Sequence, residues 1–462
     1  MTISTKNGFS TINPVNGKEI QQYSYMSQKV LDETIENCNK AFHSWKLVTI
    51  EERSKVIKSI GKLLLNHKQR LAELMTKEMG KLQEQSIQEI ELCAGICDYS
   101  SEIAPDEFKP IEKHLPDGER GIVTFSPLGV IYGIQPWNYP TYQVMRFAIA
   151  SLIAGNGVLL KHASNVTGTA LMLQEIVEEG GLPKNLFSVL IIDHDQSDEV
   201  IKHEHVRGVT FTGSAEAGRG IGEKAGKSLK KSVLELGSND AYIVLEDADI
   251  EIAVEKCVMG RVYNNGETCI AAKRFVVVEK VYQPFKQAFV KAMSELKYGD
   301  PTSSEVDLGP MAREDLREKM HEQVQESVKN GAEILCGGKL PEGEGYFYPP
   351  TVLGSVKPGQ PAYDDEIFGP VASLIKAKDD KDAMRIANDS RFGLGGGIFS
   401  KDEKRAVELA SKHFDTGMIF INTFGLAKPA MPFGGVKDSG FGREHGGFGM
   451  KEFVNVKSII IG

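Results

Sequence analysis

No apolar run in this chain approaches the roughly 18 residues that a membrane-crossing helix needs. Residues 1–10 lack the apolar centre of a secretory leader. Positive charge is not in excess either. Fifty-four Lys and Arg stand against 63 Asp and Glu, for a net charge of −9. That balance disfavours a nucleic-acid or anionic-membrane surface, so neither partner is expected. Cysteine is sparse. Cys38, Cys93, Cys97, Cys257, Cys269 and Cys336 show no paired framework, and a reducing cytoplasm is the expected setting. Cys93 and Cys97 share one helix face but have no histidine or cysteine nearby, so core packing outweighs a metal pair there. No metal is expected. Repeats and low-complexity runs are also missing.

What is present is a soluble globular composition, 41% apolar and 25% charged over 462 residues. That length is too great for one core, so two or more domains are expected. Residues 11–27 read as extended with an Asn-Gly turn. From about Ser27 to Ile103 the pattern is helical, with Ile57, Ile60, Leu64, Leu71 and Leu74 on one stripe. Two β runs follow around Ser126-Pro127. Strand and helix signals then alternate. Val158–Lys161, Phe187–Ile192, Val209–Thr212 and Lys231–Glu235 read as strands, with a helix over Val166–Glu179 stopped by Gly180-Gly181. This alternation predicts an α/β fold with a parallel sheet covered by helices. Ala241–Leu245 opens a second α/β unit. Residues 425–449 are rich in glycine and read as a long loop. The tail from Phe453 is strand-like and needs a pairing partner.

Chemistry centres on Asn264-Asn265-Gly266-Glu267-Thr268-Cys269, a polar run between a helical segment (252–263) and the strand from Arg274. A thiol on such a loop can be aimed at a cleft. It attacks as the thiolate and needs positive potential or a base. Attack on a carbonyl creates an oxyanion, which Asn138 and the Cys269 N–H can hold. Asn138 also suits a plain turn before Pro140. Glu235 ends a strand, either as a polar terminus or as a general base for water. Lys161 ends another, at the edge where open α/β sheets bind ligands, although a lysine there can simply snorkel. Gly213-Ser214 follows a strand and opens a helix whose N-terminus suits a phosphate, without the GxGxxG spacing.

Seven segments in order carry a resemblance to one family. They are Pro136-Trp137-Asn138-Tyr139-Pro140, Leu160-Lys161-His162-Ala163-Ser164, Phe211-Thr212-Gly213-Ser214, Glu235-Leu236-Gly237, Gly266-Glu267-Thr268-Cys269, Glu366-Ile367-Phe368-Gly369-Pro370 and Pro432-Phe433-Gly434-Gly435. Together they resemble the NAD(P)-dependent aldehyde dehydrogenases, and the run from Asn239 to Asp249 looks most like the bacterial succinate-semialdehyde enzymes. The resemblance implies a Rossmann-type cofactor domain (1–118 and 135–237), an α/β catalytic domain (238–430), a small β oligomerisation element (119–134 and 450–462) and a Gly-rich connecting loop (431–449). It implies a homodimer or homotetramer.

By the same resemblance Cys269 is the nucleophile, Asn138 the oxyanion donor and Glu235 the base. Trp137, Lys161, Ser164, Gly213, Ser214, Leu236, Glu366 and Phe368 line the cofactor. Relatives that prefer NAD often carry a glutamate where Ser164 stands. A serine beside Lys161 predicts that NADP is preferred and NAD also used. Arg146, about two helical turns beyond Asn138, is expected to face the same tunnel and bind a substrate carboxylate, with Tyr263 beside it. The expected reaction is oxidation of succinate semialdehyde to succinate through a thiohemiacetal and a thioester. A broad-range or lactaldehyde-type enzyme of the same fold is the alternative, and a catalytically silent binding homologue is a remote one. Ser238, where the family commonly has glycine, is expected to change packing modestly.

Overall fold

The computed structural model describes residues 3–5, 7–116 and 118–462. Four helices, Gln28–Trp45, Ile50–Asn66, Lys68–Met79 and Gln83–Glu107, make up the predicted helical region. The second begins at a capping box. The Thr49 hydroxyl accepts from Glu52 N, and the Glu52 carboxylate accepts from Thr49 N, both at 3.3 Å. Its stripe of Ile57, Ile60 and Leu64 is fully buried against the fourth helix and the sheet helices. The third helix stops at Gly80, whose φ of 78° suits glycine.

A six-stranded sheet runs in the spatial order Gly440–Phe441, Lys231–Glu235, Val206–Thr212, Val130–Gln135, Gly157–His162 and Phe187–Val189. Its pairings are parallel except the first, where Glu235 faces Gly440 in antiparallel register. A seven-stranded sheet holds Glu333–Cys336, Thr351–Gly354, Val371–Ala377, Arg274–Val278, Ala241–Val244, Gly396–Phe399 and Phe420–Ile421, parallel apart from its outermost hairpin pair. The inner strands are buried over most of their length because helices cover both faces. The tail strand Val454–Ile461 pairs antiparallel with Arg120–Pro127, which also pairs with Ile111–His114.

One boundary differs from the sequence reading. Residues 119–134 were expected to form one element, yet the chain changes sheets within them. Arg120–Pro127 joins the tail strand, whereas Val130–Gln135 lies in the middle of the six-stranded sheet. Val130, Ile131 and Tyr132 are fully buried, the pattern of a strand enclosed on both faces. Asn156 fixes the crossing point. Its Oδ1 accepts from Leu128 N and Gly129 N at 2.8 and 3.1 Å, and its Nδ2 donates to Phe453 O at 2.9 Å. Gly129 has φ 148°, and a Cβ there would lie 2.7 Å from the Arg207 side chain. Residues 431–449 also do more than connect, since they supply the edge strand beside Glu235.

Candidate active site

The helix Ile250–Val262 ends just before the thiol loop. Asn264 and Asn265 take left-handed conformations (φ 54° and 58°), which asparagine tolerates better than most residues. Their side chains then serve as struts. Asn264 Nδ2 donates to Asn138 O at 2.8 Å and to Glu267 O at 3.1 Å. Asn265 Nδ2 donates to Pro310 O at 2.9 Å, and its Oδ1 accepts from Gly309 N at 2.8 Å. The buried Arg261 donates to Gly266 O at 2.7 Å. Gly266 (φ 75°) packs so closely on Gly369 that a Cβ would come within 2.4 Å. Tyr139 Oη and Thr268 Oγ1 are 2.8 Å apart. The Cys269 loop is therefore held by Asn138 and Tyr139 on one side and by Arg261, Gly309, Pro310 and Gly369 on the other.

Cys269 keeps some exposure to a cavity of about 290 Å³. Asn138, Trp137, Gly213, Ser214, Leu236, Glu366 and Phe368 share its walls. The structure thus gathers eight of the expected residues around one space. The Trp137 and Phe368 rings meet edge-on at 5.9 Å. Ser214 caps the helix Ala215–Lys227, accepting from Ala217 N at 3.2 Å, so that helix N-terminus lies at the cavity wall. Asn138 Nδ2 donates to Glu267 O at 3.0 Å. An amide nitrogen carries a second hydrogen, which leaves one donor for a ligand. The thiol is pushed up to about 12 by burial, with Arg146 and Lys273 opposing and Glu235 adding to the rise. Ionising it needs help from a base.

Glu235 ends its strand buried, with neither carboxylate oxygen hydrogen-bonded, and it does not line the cavity. Burial first, and the like charge of Glu444 second, raise its pKa well above the usual range. That places it closer to the working range of a general base. Glu366 accepts from Ser238 N at 3.0 Å and pairs with Lys273 at 3.2 Å. Gly237 makes room for it, since a Cβ would sit 2.4 Å from Oε2. Ser238 does more than fill space. Its hydroxyl donates to the buried Asp240, which also accepts from Gly395 N at 3.0 Å.

Lys161 and Ser164 line a second cavity, of about 250 Å³, with His162, Asp193 and Arg313. It lies at the carboxyl edge of the same parallel sheet. Burial lowers the Lys161 pKa and Asp193 opposes it.

The two expected substrate residues sit elsewhere. Arg146 is fully buried and does not line the thiol cavity. It forms an ion pair with Glu444, donates to Thr212 Oγ1 at 2.8 Å, and lies over the rings of Tyr142 and Phe433 at 5.3 and 5.0 Å. Burial disfavours its charge, but the neighbouring anions, Glu444 foremost, outweigh that and keep it protonated. A helical spacing from Asn138 placed Arg146 correctly on its helix. It could not reveal a carboxylate from a loop 298 positions away in the sequence, where no periodic signal exists. Tyr263 donates to Gln88 Oε1 at 2.9 Å and packs on Phe424, tying the loop to the N-terminal helices. Lys273, Glu444, Asp193 and Arg313 were missed, each a charged residue with no motif around it.

The aldehyde dehydrogenase profile matches residues 2–459. The chain belongs to the aldehyde dehydrogenase family. It is 41% identical to the NAD(P)+ succinate semialdehyde dehydrogenase of Escherichia coli strain K12, covering 99% of each chain. It is 40% identical to the NADP(+) succinate-semialdehyde dehydrogenase of Deinococcus radiodurans, over 98% of this chain and 94% of that one. Among solved structures it is similar to a succinic semialdehyde dehydrogenase from Streptococcus pyogenes in complex with NADP+. That match has a TM-score of 0.95 and 36% identity, and covers 97% and 99% of the two chains. The α/β architecture and the two sheets are those of this family. Among the described residues no helix is long and apolar enough to cross a membrane.

Proposed function

We propose that this aldehyde dehydrogenase oxidises succinate semialdehyde to succinate with NADP or NAD. The observation that carries the reading is the shared cavity of Cys269, Asn138 and Glu366, with Glu235 unpaired behind it. The full-length similarity to succinate-semialdehyde enzymes supports the substrate.

A dinucleotide fits the residues present. Two cavities open at the carboxyl edge of one parallel sheet, the usual ligand edge of such folds. Lys161 and Ser164 would hold the adenosine end, Ser164 and Lys161 accommodating a 2′-phosphate. Gly213 and Ser214, at a helix N-terminus on the cavity wall, would hold the pyrophosphate. Glu366 would hold the nicotinamide ribose beside Phe368, with Trp137 and Leu236 on the walls. Bound NADP or NAD supplies the hydride acceptor.

The chain's own groups do the rest. Cys269 gives up its proton to solvent hydroxide in the cavity, forming water, and the thiolate adds to the aldehyde carbonyl. Asn138 Nδ2–H and the Cys269 N–H hold the oxyanion. Loss of hydride leaves a thioester on Cys269. Glu235 takes a proton from water, which attacks the thioester and releases the acid and the thiolate.

One observation favours a second reading. Arg146, the expected anchor for the substrate carboxylate, is already neutralised by Glu444, which suits an uncharged aldehyde as the broad-range alternative requires. Initial rates of the wild type with succinate semialdehyde and with butanal decide between them. A catalytic efficiency at least tenfold higher on succinate semialdehyde supports the carboxylate reading. Equal efficiencies, or a preference for butanal, support the second.

The tail sheet, with Val456, Ile459, Ile460 and Ile461 exposed, supports assembly into a homodimer or homotetramer. Six unpaired cysteines support a cytoplasmic setting.

A further inference from the structure

Lys273 directly precedes the central strand Arg274–Val278, and its backbone is fixed on both sides. Its N–H donates to Asp240 O at 3.1 Å, and its carbonyl accepts from Ser373 N at 3.0 Å. The side chain is 2% exposed and turns back under the thiol loop. Nζ donates to Cys269 O at 2.5 Å and to Thr268 O at 3.3 Å, and pairs with Glu366 Oε1 at 3.2 Å. An ammonium has three N–H groups, and these are its three directions.

We propose that Lys273 is a positioning residue that links Glu366 to the peptide groups of the nucleophile, so that a ligand on Glu366 tunes the reactivity of Cys269. This inference rests on the thioester reading given above.

The carbonyl of Thr268 belongs to the same peptide group as the Cys269 N–H. A cation on that oxygen polarises the peptide and strengthens its N–H as a donor to the oxyanion. The second contact, on Cys269 O, fixes the peptide on the other side of the nucleophile. Glu366 draws on the same ammonium while also facing the cavity. Hydroxyl donors from a bound ribose would occupy part of that carboxylate, leaving more of the positive charge with the loop. The charged groups acting on the thiol are Arg146 and Lys273, which favour the thiolate, and Glu235 and Glu366, which oppose it. Asp240 also faces Lys273, but Ser238 and Gly395 already hold it. A purely structural lysine would need only to neutralise Glu366 and Asp240. It would not need the carbonyls of both Thr268 and Cys269.

The test uses the full-length enzyme and the variants Lys273→Met, Lys273→Gln, Lys273→Arg and Glu366→Gln. Alkylation of Cys269 by iodoacetamide is followed by mass spectrometry across roughly pH 6–10, with and without NADP, and its rate at each pH reads the thiolate fraction, so that a shift in thiol pKa shows as a proportional change in rate. In Lys273→Met the thiol pKa rises, slowing alkylation roughly tenfold at neutral pH. Its kcat falls ~10–100-fold while KM for the aldehyde stays within about threefold. Lys273→Arg recovers part of both. NADP lowers the thiol pKa in the wild type and much less in Lys273→Met. Glu366→Gln lowers it without NADP. An unchanged alkylation profile in either neutral variant, Lys273→Met or Lys273→Gln, of unaltered melting temperature overturns the proposal, as does an NADP response that survives in Lys273→Met. If neither neutral variant folds, Glu366→Gln decides, and a wild-type profile there overturns it. A wild type that prefers butanal refutes the proposed substrate alone, and the Lys273 comparison is then read on butanal.

Discussion

Replacing Glu235 with glutamine separates the two demands made on that residue. The carboxyl is buried with both oxygens unpaired, and its pKa is raised well above 4.5. In the folded chain it therefore stays protonated at pH values where the unfolded chain has already ionised. The folded state then binds more protons, and stability falls as pH climbs from about 4.5 toward the raised folded value. Glutamine has the same shape and no charge to desolvate. Glu235→Gln should match the wild type in stability near pH 5 and exceed it in alkaline buffer. The excess should be ~1–3 kcal/mol, the usual cost of one buried polar group without partners. For a chain of this length that is a melting-point gain on the order of 1 °C per kcal/mol. Calorimetry across the pH range reads it. The same substitution removes the base for thioester hydrolysis, which costs roughly 10²–10⁴ in steady-state rate. Acylation does not need that water, so a rapid burst of NADPH fluorescence should remain, with little turnover after it. A variant that melts below the wild type at every pH, or that turns over at more than about a tenth of its rate, would refute the reasoning.

Cys269→Ala should abolish dehydrogenase activity while titration calorimetry still shows NADP binding, because no other cysteine lines the cavity. Ser164→Glu should shift the ratio of catalytic efficiencies from NADP toward NAD by tenfold or more, since a carboxylate within about 4 Å of a 2′-phosphate repels it by a few kcal/mol. A ratio that does not move would remove Ser164 from cofactor choice. Arg146→Ala strands the Glu444 carboxylate in a buried site, and should cost ~3–5 kcal/mol of stability by denaturant unfolding. Adding Glu444→Gln should recover much of that loss, and a strictly additive double variant would mean that the pair does not interact.

The alternation of strands and helices was readable because its signals are local. Lys231–Glu235 and Gly396–Phe399 end where their apolar runs end. The run from Phe187 was read to Ile192, but the strand stops at Val189, because the next residues turn to line the Lys161 cavity. The charged helices Asp380–Asn388 and Glu403–His413 carry narrow apolar stripes and were not assigned. The sheet membership of Val130–Gln135 depends on which neighbours flank it, and an apolar run alone does not specify them. Cys269, Asn138 and Glu366 stood out because each sits in a short motif. Lys273, which pairs with Glu366 and donates to Cys269 O, and Glu444, which pairs with Arg146, come from the far side of a turn or of the chain.

The pairing of Glu235 with Gly440 has a consequence for how the protein is made. Ser439 Oγ donates to Gly237 O at 2.7 Å across 202 positions of sequence, and Ser439 O accepts from Leu236 N at 3.0 Å. Contacts of such separation form late, after most loop-closure entropy has been lost. During synthesis at about 5–20 residues per second, the strand ending at Glu235 leaves the ribosome some tens of seconds before its edge partner exists. Through that interval its outer N–H and C=O groups lie open to pairing with any other extended chain. The last step in assembling the active site and the last step in closing that sheet are then one event. A nascent chain halted before residue 439 already holds Asn138, Glu235, Cys269 and Glu366, yet the strand that ends at Glu235 still has an unpaired edge.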